Sequence, residues 1–359
     1  MQKWQRIASV FLVVQIGFVY YLRQHPVLVE QYYSNGIYSY IASFLRILFG
    51  WIPFSVGDVL YFFAGLWLVY KSIRFIKSKA KNWKYSILHF TAILSVVYFV
   101  FHLLWGFNYY RLSLSENLNL PLKKYDLEDL TLVTEKLLIN VQETHFKLTQ
   151  NDTLPVKVKE SLPELLLYSD KAYSNLSKRY PQLNYPYGKV KKSLYSLPLT
   201  YMGFSGYLNP FTNEAQVNYM VPKYNIPIVA THEIAHQVGY AKESDANFIG
   251  YLACINSDNL LLEYSADLMA LNYCLNAIYV SDKEIYKEIV GRIPKGVRLN
   301  YRESRRFWRY YKNPVEPYFK KFYDAFLKSN NQRHGIKSYS KMVSLLIAYD
   351  KKKELNKHN

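Results

Sequence analysis

Cysteine is nearly missing from this chain, with 2 in 359 residues. Cys254 and Cys274 lie in apolar stretches without CxxC spacing, which excludes a thiolate metal knuckle and a disulfide framework. They read as two buried thiols acting as small hydrophobes, with one mutual disulfide as the alternative. Internal repeats and low-complexity linkers are also missing. Acidic residues are in deficit: 27 Asp and Glu face 45 Lys and Arg, a formal net charge of +18. Such a balance suits nucleic acid, an anionic membrane surface or an acidic polymer. No zinc finger, RNP-type sequence or basic heptad helix is present, so no nucleic-acid partner is expected.

Apolar and aromatic residues are plentiful. Hydrophobic residues make up 50% of the chain and charged ones 20%, with 36 Tyr and 20 Phe. The apolar excess is concentrated in residues 1–110, which read as a membrane region with lipid as a partner. Three transmembrane helices are expected, at about 7–22, 56–75 and 85–107. The first follows Lys3 and Arg6 and lacks a small-x-small cleavage site, so it reads as an uncleaved anchor rather than a signal peptide. Lys71, Arg74, Lys77, Lys79, Lys81 and Lys84 separate the second span from the third. The positive-inside rule puts that loop in the cytoplasm and everything after about Asn108 outside. Residues 36–52 are also apolar, but Arg46, the serines and Pro53 favour an interfacial segment over a fourth span. Asp58, near a membrane edge, reads as a helix cap and is given no functional role.

Residues 111–359 read as one extracytoplasmic domain, mainly α with a small β-sheet (α+β). Leu130, Val133, Leu137 and Val141 recur at helical spacing after Asp126, an N-cap. A second helix around Leu162–Tyr173 ends before Pro181. Residues 193–201 favour extended chain. Residues 207–213 read as a turn and 214–219 as another strand. Residues 245–256, 260–280, 317–328 and 334–350 read as helices. Residues 292–312 are basic with interleaved aromatics, which suits a solvated face or anionic lipid heads.

The chemistry lies in His232-Glu233-x-x-His236. Positions i and i+4 share one helix face, so two imidazoles can reach one Zn2+ while Glu233 stands beside them to handle a proton. With 8 His in the chain, chance gives this pattern roughly once in a hundred such sequences. Its setting strengthens it: Ile228, Val229, Ile234, Ala235 and Val238 supply a buried face, and Gly239 ends the helix where a reversal can return another ligand. A catalytic zinc needs a third protein ligand. Glu243 is the first choice, with Asn247 one turn on to orient a ligand. Glu263, in Glu263-Tyr-Ser-Ala-Asp267, and Asp245 are the rivals. Upstream, Gly206, Asn209, Glu214 and Asn218 are candidates for the substrate cleft; turn and strand-end hydrogen bonds are the competing role for the three polar ones. Tyr201, Tyr207 and Tyr219 are candidate oxyanion donors, none preferred.

Several segments together resemble a known family. Gly203-Phe-Ser-Gly-Tyr-Leu-Asn-Pro-Phe-Thr-Asn-Glu-Ala-Gln-Val-Asn218, His232-Glu-Ile-Ala-His-Gln-Val-Gly239, Glu243-Ser-Asp-Ala-Asn-Phe248 and Leu252-Ala-Cys254 look like the DUF3810 family of bacterial membrane proteins. Three N-terminal spans and Gly335-Ile-Lys-Ser-Tyr339 before a terminal helix fit as well. The resemblance implies a bacterial inner-membrane protein with a zincin-like domain, a zinc metallopeptidase of gluzincin type. It implies no substrate. The Glu-x-x-Ala-Asn form of 243–247 is similar to third-ligand motifs of gluzincins and so favours Glu243. The gap after His236 is shorter than in most of them.

The expected function is therefore a membrane-anchored zinc metallopeptidase, hydrolysing a peptide or related amide bond in a peptide or protein substrate. A catalytically inactive zinc-binding protein and an envelope-polymer-binding protein are the alternatives. Substrate, cleavage preference and oligomeric state are not legible.

Overall fold

The computed structural model describes residues 2–77, 83–332 and 339–356. The lysine-rich loop at 78–82 and most of the segment 335–339 fall outside these residues. The chain is mostly helical, and among the described residues three helices are long and apolar enough to cross a membrane. They lie in α1 (Gln2–Arg23), α4 (Val56–Lys77) and α5 (Trp83–Leu104), and they mark a membrane protein.

α1 and α5 run parallel and pack along their length. Phe11 meets Phe99 and Phe18 meets Phe107. Gln5 faces His89, Ser9 faces Thr91, and Gln15 donates to Ser95. Polar pairs of this kind hold helices together where lipid offers them no partner. α4 is different: none of its apolar window is buried inside the protein. The C-terminal ends of α1 and α5 and the N-terminal end of α4 all meet the rest of the chain.

Between α1 and α4 the chain stays helical through α2 (Pro26–Leu28), a π-helical stretch (Val29–Ile37) and α3 (Tyr38–Gly50). The apolar segment 36–52 thus has two faces. Tyr38, Ala42, Leu45 and Arg46 are buried, while Ile37, Tyr40, Phe44, Ile47, Leu48 and Trp51 are exposed. Arg46, which argues against a span, is held by protein instead of water. Its guanidinium donates to the Pro186 and Gln237 carbonyls and to Asn213.

The larger body follows a 3-10 turn at Gly106–Tyr110. It contains α6 (Leu114–Asn117), α7 (Leu127–Thr149) and α8 (Leu162–Arg179). Asp126 caps α7 by accepting from the Asp129 N–H, as the sequence predicts. Ser161 and Glu164 form a capping box on α8. A short sheet follows: β1 (Val190–Lys192), then α9 (Ser196–Met202), β2 (Gly206–Asn209) and β3 (Glu214–Val217). β3 is central, parallel to β1 and antiparallel to β2, which leaves β2 at an edge. Residues 196–202 are helical, not extended as their composition suggests. The reversal is imposed from far away: the Asp58 carboxylate accepts from the Leu194 N–H and the Ser193 hydroxyl, bending the chain just after β1. Asp58, at the head of α4, is therefore a tether between a span and the sheet.

α10 (Ile226–Gln237), α11 (Glu243–Ile255) and α12 (Leu260–Ser281) form the centre of the body. α10 packs on α8, α11, α12 and β3. Its Ile226, Ala230, Ile234 and Ala235 are fully buried. α13 (Lys283–Gly291), α14 (Lys295–Tyr311), α15 (Glu316–Ser329) and α16 (Tyr339–Leu355) surround it. Cys254 and Cys274 are free and buried, as expected of small hydrophobes.

Asp267 is a buried acid away from the site that lacks full compensation. Asp267 on α12 is 3% exposed and one of its oxygens lacks a partner. Burial pushes its carboxyl up to about 8, and the nearby Glu263 adds to this against a hydrogen bond from Tyr251. Between roughly pH 4 and pH 8 the native chain keeps a proton that the unfolded chain has lost, so stability falls as pH rises through that window. Asp267→Asn is expected to stabilise the full chain by on the order of 2 kcal/mol at pH 8 and by almost nothing near pH 4. Thermal unfolding at the two pH values checks this; equal shifts at both would contradict a buried, protonated Asp267.

Candidate metal centre

α10 begins with Pro227 in its first turn, where the missing N–H costs nothing. It is followed, after Val238, by Gly239, whose φ of +94° lies in the left-handed region. A Cβ there would also meet the Tyr38 ring at 2.8 Å and Asn108 at 3.0 Å. Glycine thus permits both the turn and the close approach of α3. The turn returns the Tyr240 carbonyl to His236, which it accepts from through Nδ1 at 2.7 Å. That bond fixes the tautomer and leaves Nε2 unprotonated. The chain then enters α11 with Glu243 at its first residue.

His232, His236 and Glu243 come together. Their candidate ligand atoms lie within 4.8 Å of one another. The two Nε2 atoms face the Glu243 carboxylate, at 3.3 Å from Oε2 for His232 and 3.6 Å from Oε1 for His236. Two imidazole nitrogens and one carboxylate form a donor set that suits Zn2+. The rivals are elsewhere: Asp245 is buried in an ion pair with Lys341, and Glu263 sits near Lys147 and Asp258. Neither joins the cluster.

The electrostatics follow from burial and crowding. Burial lowers the His236 imidazole to about 4, against the pull of Glu243. Burial would raise Glu243, but hydrogen bonding to His232, the charge of His236 and the Tyr323 hydroxyl hold it down at about 2. His232 is lowered by burial and raised more by Glu243, Glu233 and Asn247. Glu233 lies outside the donor cluster, is 4% exposed and has an oxygen without a partner. Burial and then the charge of Glu243 push its carboxyl up to about 8.

Other expected site residues divide. Asn247 borders the cleft and donates to the Tyr273 hydroxyl. Gly206 faces the site: a Cβ there would lie 2.7 Å from Glu233 Oε1. Asn209, Glu214 and Asn218 do not line the cleft. Asn209 accepts from the Phe211 and Thr212 N–H groups. Asn218 bonds Thr200, Phe204 and Met220. Glu214 accepts from the Val56 and Gly57 N–H groups at the head of α4 and pairs with buried Lys191 at 2.6 Å. It caps a helix whose first turn would otherwise have orphan donors. Of the three tyrosines, Tyr207 donates to Asp58, while Tyr201 and Tyr219 are half exposed.

Several site residues had no signal in the sequence. Tyr323 on α15 is one of 36 tyrosines, yet its hydroxyl donates to Glu243 Oε1 at 2.7 Å. Trp105, just past α5, donates to the His236 carbonyl at 3.1 Å. Gln332 receives the Glu243 N–H and donates to the Ala241 carbonyl. The cluster opens into a cleft of about 1080 Å³, bordered by β2, α9, α10, α12, α14, α15 and residues of α4 and α5.

Fold and site together define a membrane protein that carries a His–His–Glu donor cluster in a large cleft. The chain belongs to the DUF3810 family, described as proteins of unknown function; the family model matches residues 33–347. No curated protein and no solved structure matches.

Proposed function

We propose that this chain is a zinc-dependent hydrolase of peptide or related amide bonds. The observation that carries the reading is the convergence of His232, His236 and Glu243 beside a buried, unpartnered Glu233 carboxylate. His232 and His236 would hold Zn2+ through Nε2, and Glu243 through a carboxylate oxygen. A zinc ion there would bring the pKa of a water near 7 and polarise a substrate carbonyl. Glu233, with its unpartnered carboxylate oxygen beside the cluster, would accept a proton from an attacking water and return it to the leaving nitrogen. Tyr240 and Tyr323 keep His236 and Glu243 in place. The free edge of β2 offers main-chain groups to an extended substrate, and Gly206 lets that edge approach Glu233.

We place the site outside the cytoplasm, at a bacterial inner membrane, and the placement of charge supports that side. Lys71, Arg74 and Lys84 lie at the ends of α4 and α5 remote from the cleft. A reporter fused after Asn359 should read extracytoplasmic; a cytoplasmic signal overturns this orientation.

Metal content tests the main reading. The full chain in detergent should bind one zinc, and His232→Ala or Glu243→Ala should lose it. A wild-type chain that takes up no zinc sinks the proposal. Truncation at residue 110 is the wrong probe, because Trp105, Arg46 and Tyr38 belong to the frame of the site. Gly206→Ala is expected to retain zinc and lose about a hundredfold in rate, since a Cβ there would lie 2.7 Å from both Glu233 Oε1 and the Gln216 carbonyl, so that Glu233 or the β2 edge must shift. Unchanged turnover of a model peptide would remove Gly206 from the cleft.

A further inference from the structure

Resting on the hydrolase reading, we infer that the site draws its substrate from the membrane: a polypeptide whose cleaved bond lies a few residues from an apolar anchor. One wall of the cleft is made by the spans themselves, through Tyr61 of α4 and Phe101 of α5. Two short contact paths join those rings to the reacting groups. A Cβ on Gly206 would lie 2.7 Å from Glu233 Oε1, and the next residue, Tyr207, stacks on Tyr61 with ring centroids 6.5 Å apart. His236 is held by Trp105, whose ring lies 6.3 Å from that of Phe101. Phe211 bridges the two spans, 6.3 Å from Tyr61 and 6.5 Å from Phe101.

This aromatic floor continues into exposed apolar surface. None of the apolar window of α4 is buried inside the protein, so apolar surface extends along α4 from the half-buried Tyr61. On the other side Phe326 of α15 packs on Phe101, and Tyr318, Phe319 and Phe322 of the same helix are exposed. An extended segment paired with the edge of β2 passes Glu233 at Gly206 and meets Tyr61 one residue later. Residues next to a transmembrane helix or a lipidated terminus are apolar enough to rest on that floor, and their anchor remains in lipid. A water-soluble peptide gains only the strand pairing.

The test uses the full chain, loaded with zinc, in phosphatidylethanolamine–phosphatidylglycerol vesicles. Three peptide pools share one randomised segment, with a photoreactive residue at one end. In one pool that end is joined to a transmembrane helix, in another to a palmitoyl chain, and in the third it is free. Anchored pools should be cut at least about tenfold faster than the free pool. Their cuts should cluster at a fixed short distance from the anchor. In Glu233→Gln the anchored pools should cross-link to Tyr61, Tyr207 or Phe211. Reaction of one anchored pool alone identifies the anchor. Equal cutting of the free pool, cuts scattered without relation to the anchor, or no cross-links to those rings overturns the inference. Cross-links to those rings without turnover by the wild-type chain keep a membrane-anchored polypeptide as the occupant of the cleft and overturn the hydrolase reading instead.

Discussion

Glu233→Gln is expected to lower turnover by about a thousandfold and leave zinc content at the wild-type level. The substitution is close to isosteric. Glu233 is enclosed under Gly206, so a side chain of the same size keeps the packing of β2 on α10. It also keeps the metal, because Glu233 is not among the three clustered donors. What it removes is the proton acceptor. The amide oxygen cannot take a proton from water near neutral pH, and no other described carboxylate is both unpartnered and beside the cluster. The pH profile supplies a second readout. A carboxyl held near 8 by burial and by Glu243 is brought lower by a bound dication, so the wild-type rate should rise with pH through a limb below about 8. The residual rate of the variant should lack that limb. Full activity in Glu233→Gln would assign the base to another group.

The parts of the site that were legible in the sequence are those that local geometry determines. The i, i+4 spacing of His232 and His236 needs only a helix, and Gly239 marks its end by being the residue that tolerates a left-handed turn. Glu243 follows because only three residues separate it from that turn. The illegible parts depend on contacts between distant segments. Tyr323 lies 80 positions from the Glu243 it bonds, and Trp105 lies 131 from His236. No periodicity records such pairs. The same cause explains Asn209, Glu214 and Asn218. Beside the strand they looked available to a substrate, but the head of α4, the hairpin turn and α9 use their hydrogen bonds. Residues 196–202 show long-range control most directly. Their leucines, threonine and tyrosine suit a strand, yet Asp58 from a span fixes the turn that starts a helix there. The helices 127–149, 162–179 and 260–281 were legible because their own caps and apolar stripes define them.

Arg111→Met is expected to destabilise the chain by about 3–5 kcal/mol, the cost of leaving a buried partner charge alone. Arg111 and Glu30 are 5% and 7% exposed. The guanidinium donates from Nε at 2.9 Å and Nη2 at 2.5 Å to the two Glu30 oxygens, a bidentate pair. Its third nitrogen donates to the Gly239 carbonyl, and the whole group lies 3.9 Å from the centre of the Tyr240 ring. One side chain thereby joins the π-helical stretch to the turn that carries the carbonyl partner of His236. Methionine restores the volume and none of these bonds, so Glu30 keeps only the amides of Asn35 and Asn117. The unfolding midpoint should fall by roughly 5–10 °C. Zinc affinity should fall about ten- to a hundredfold, because the Tyr240 carbonyl loses its support. Glu30→Gln added to Arg111→Met should recover much of the stability, since the buried charge is then gone. It should not recover the zinc affinity, since the bond to Gly239 and the stacking on Tyr240 stay lost. Recovery of both together would mean that Arg111 acts only through the charge of Glu30, and that the turn holds His236 without it.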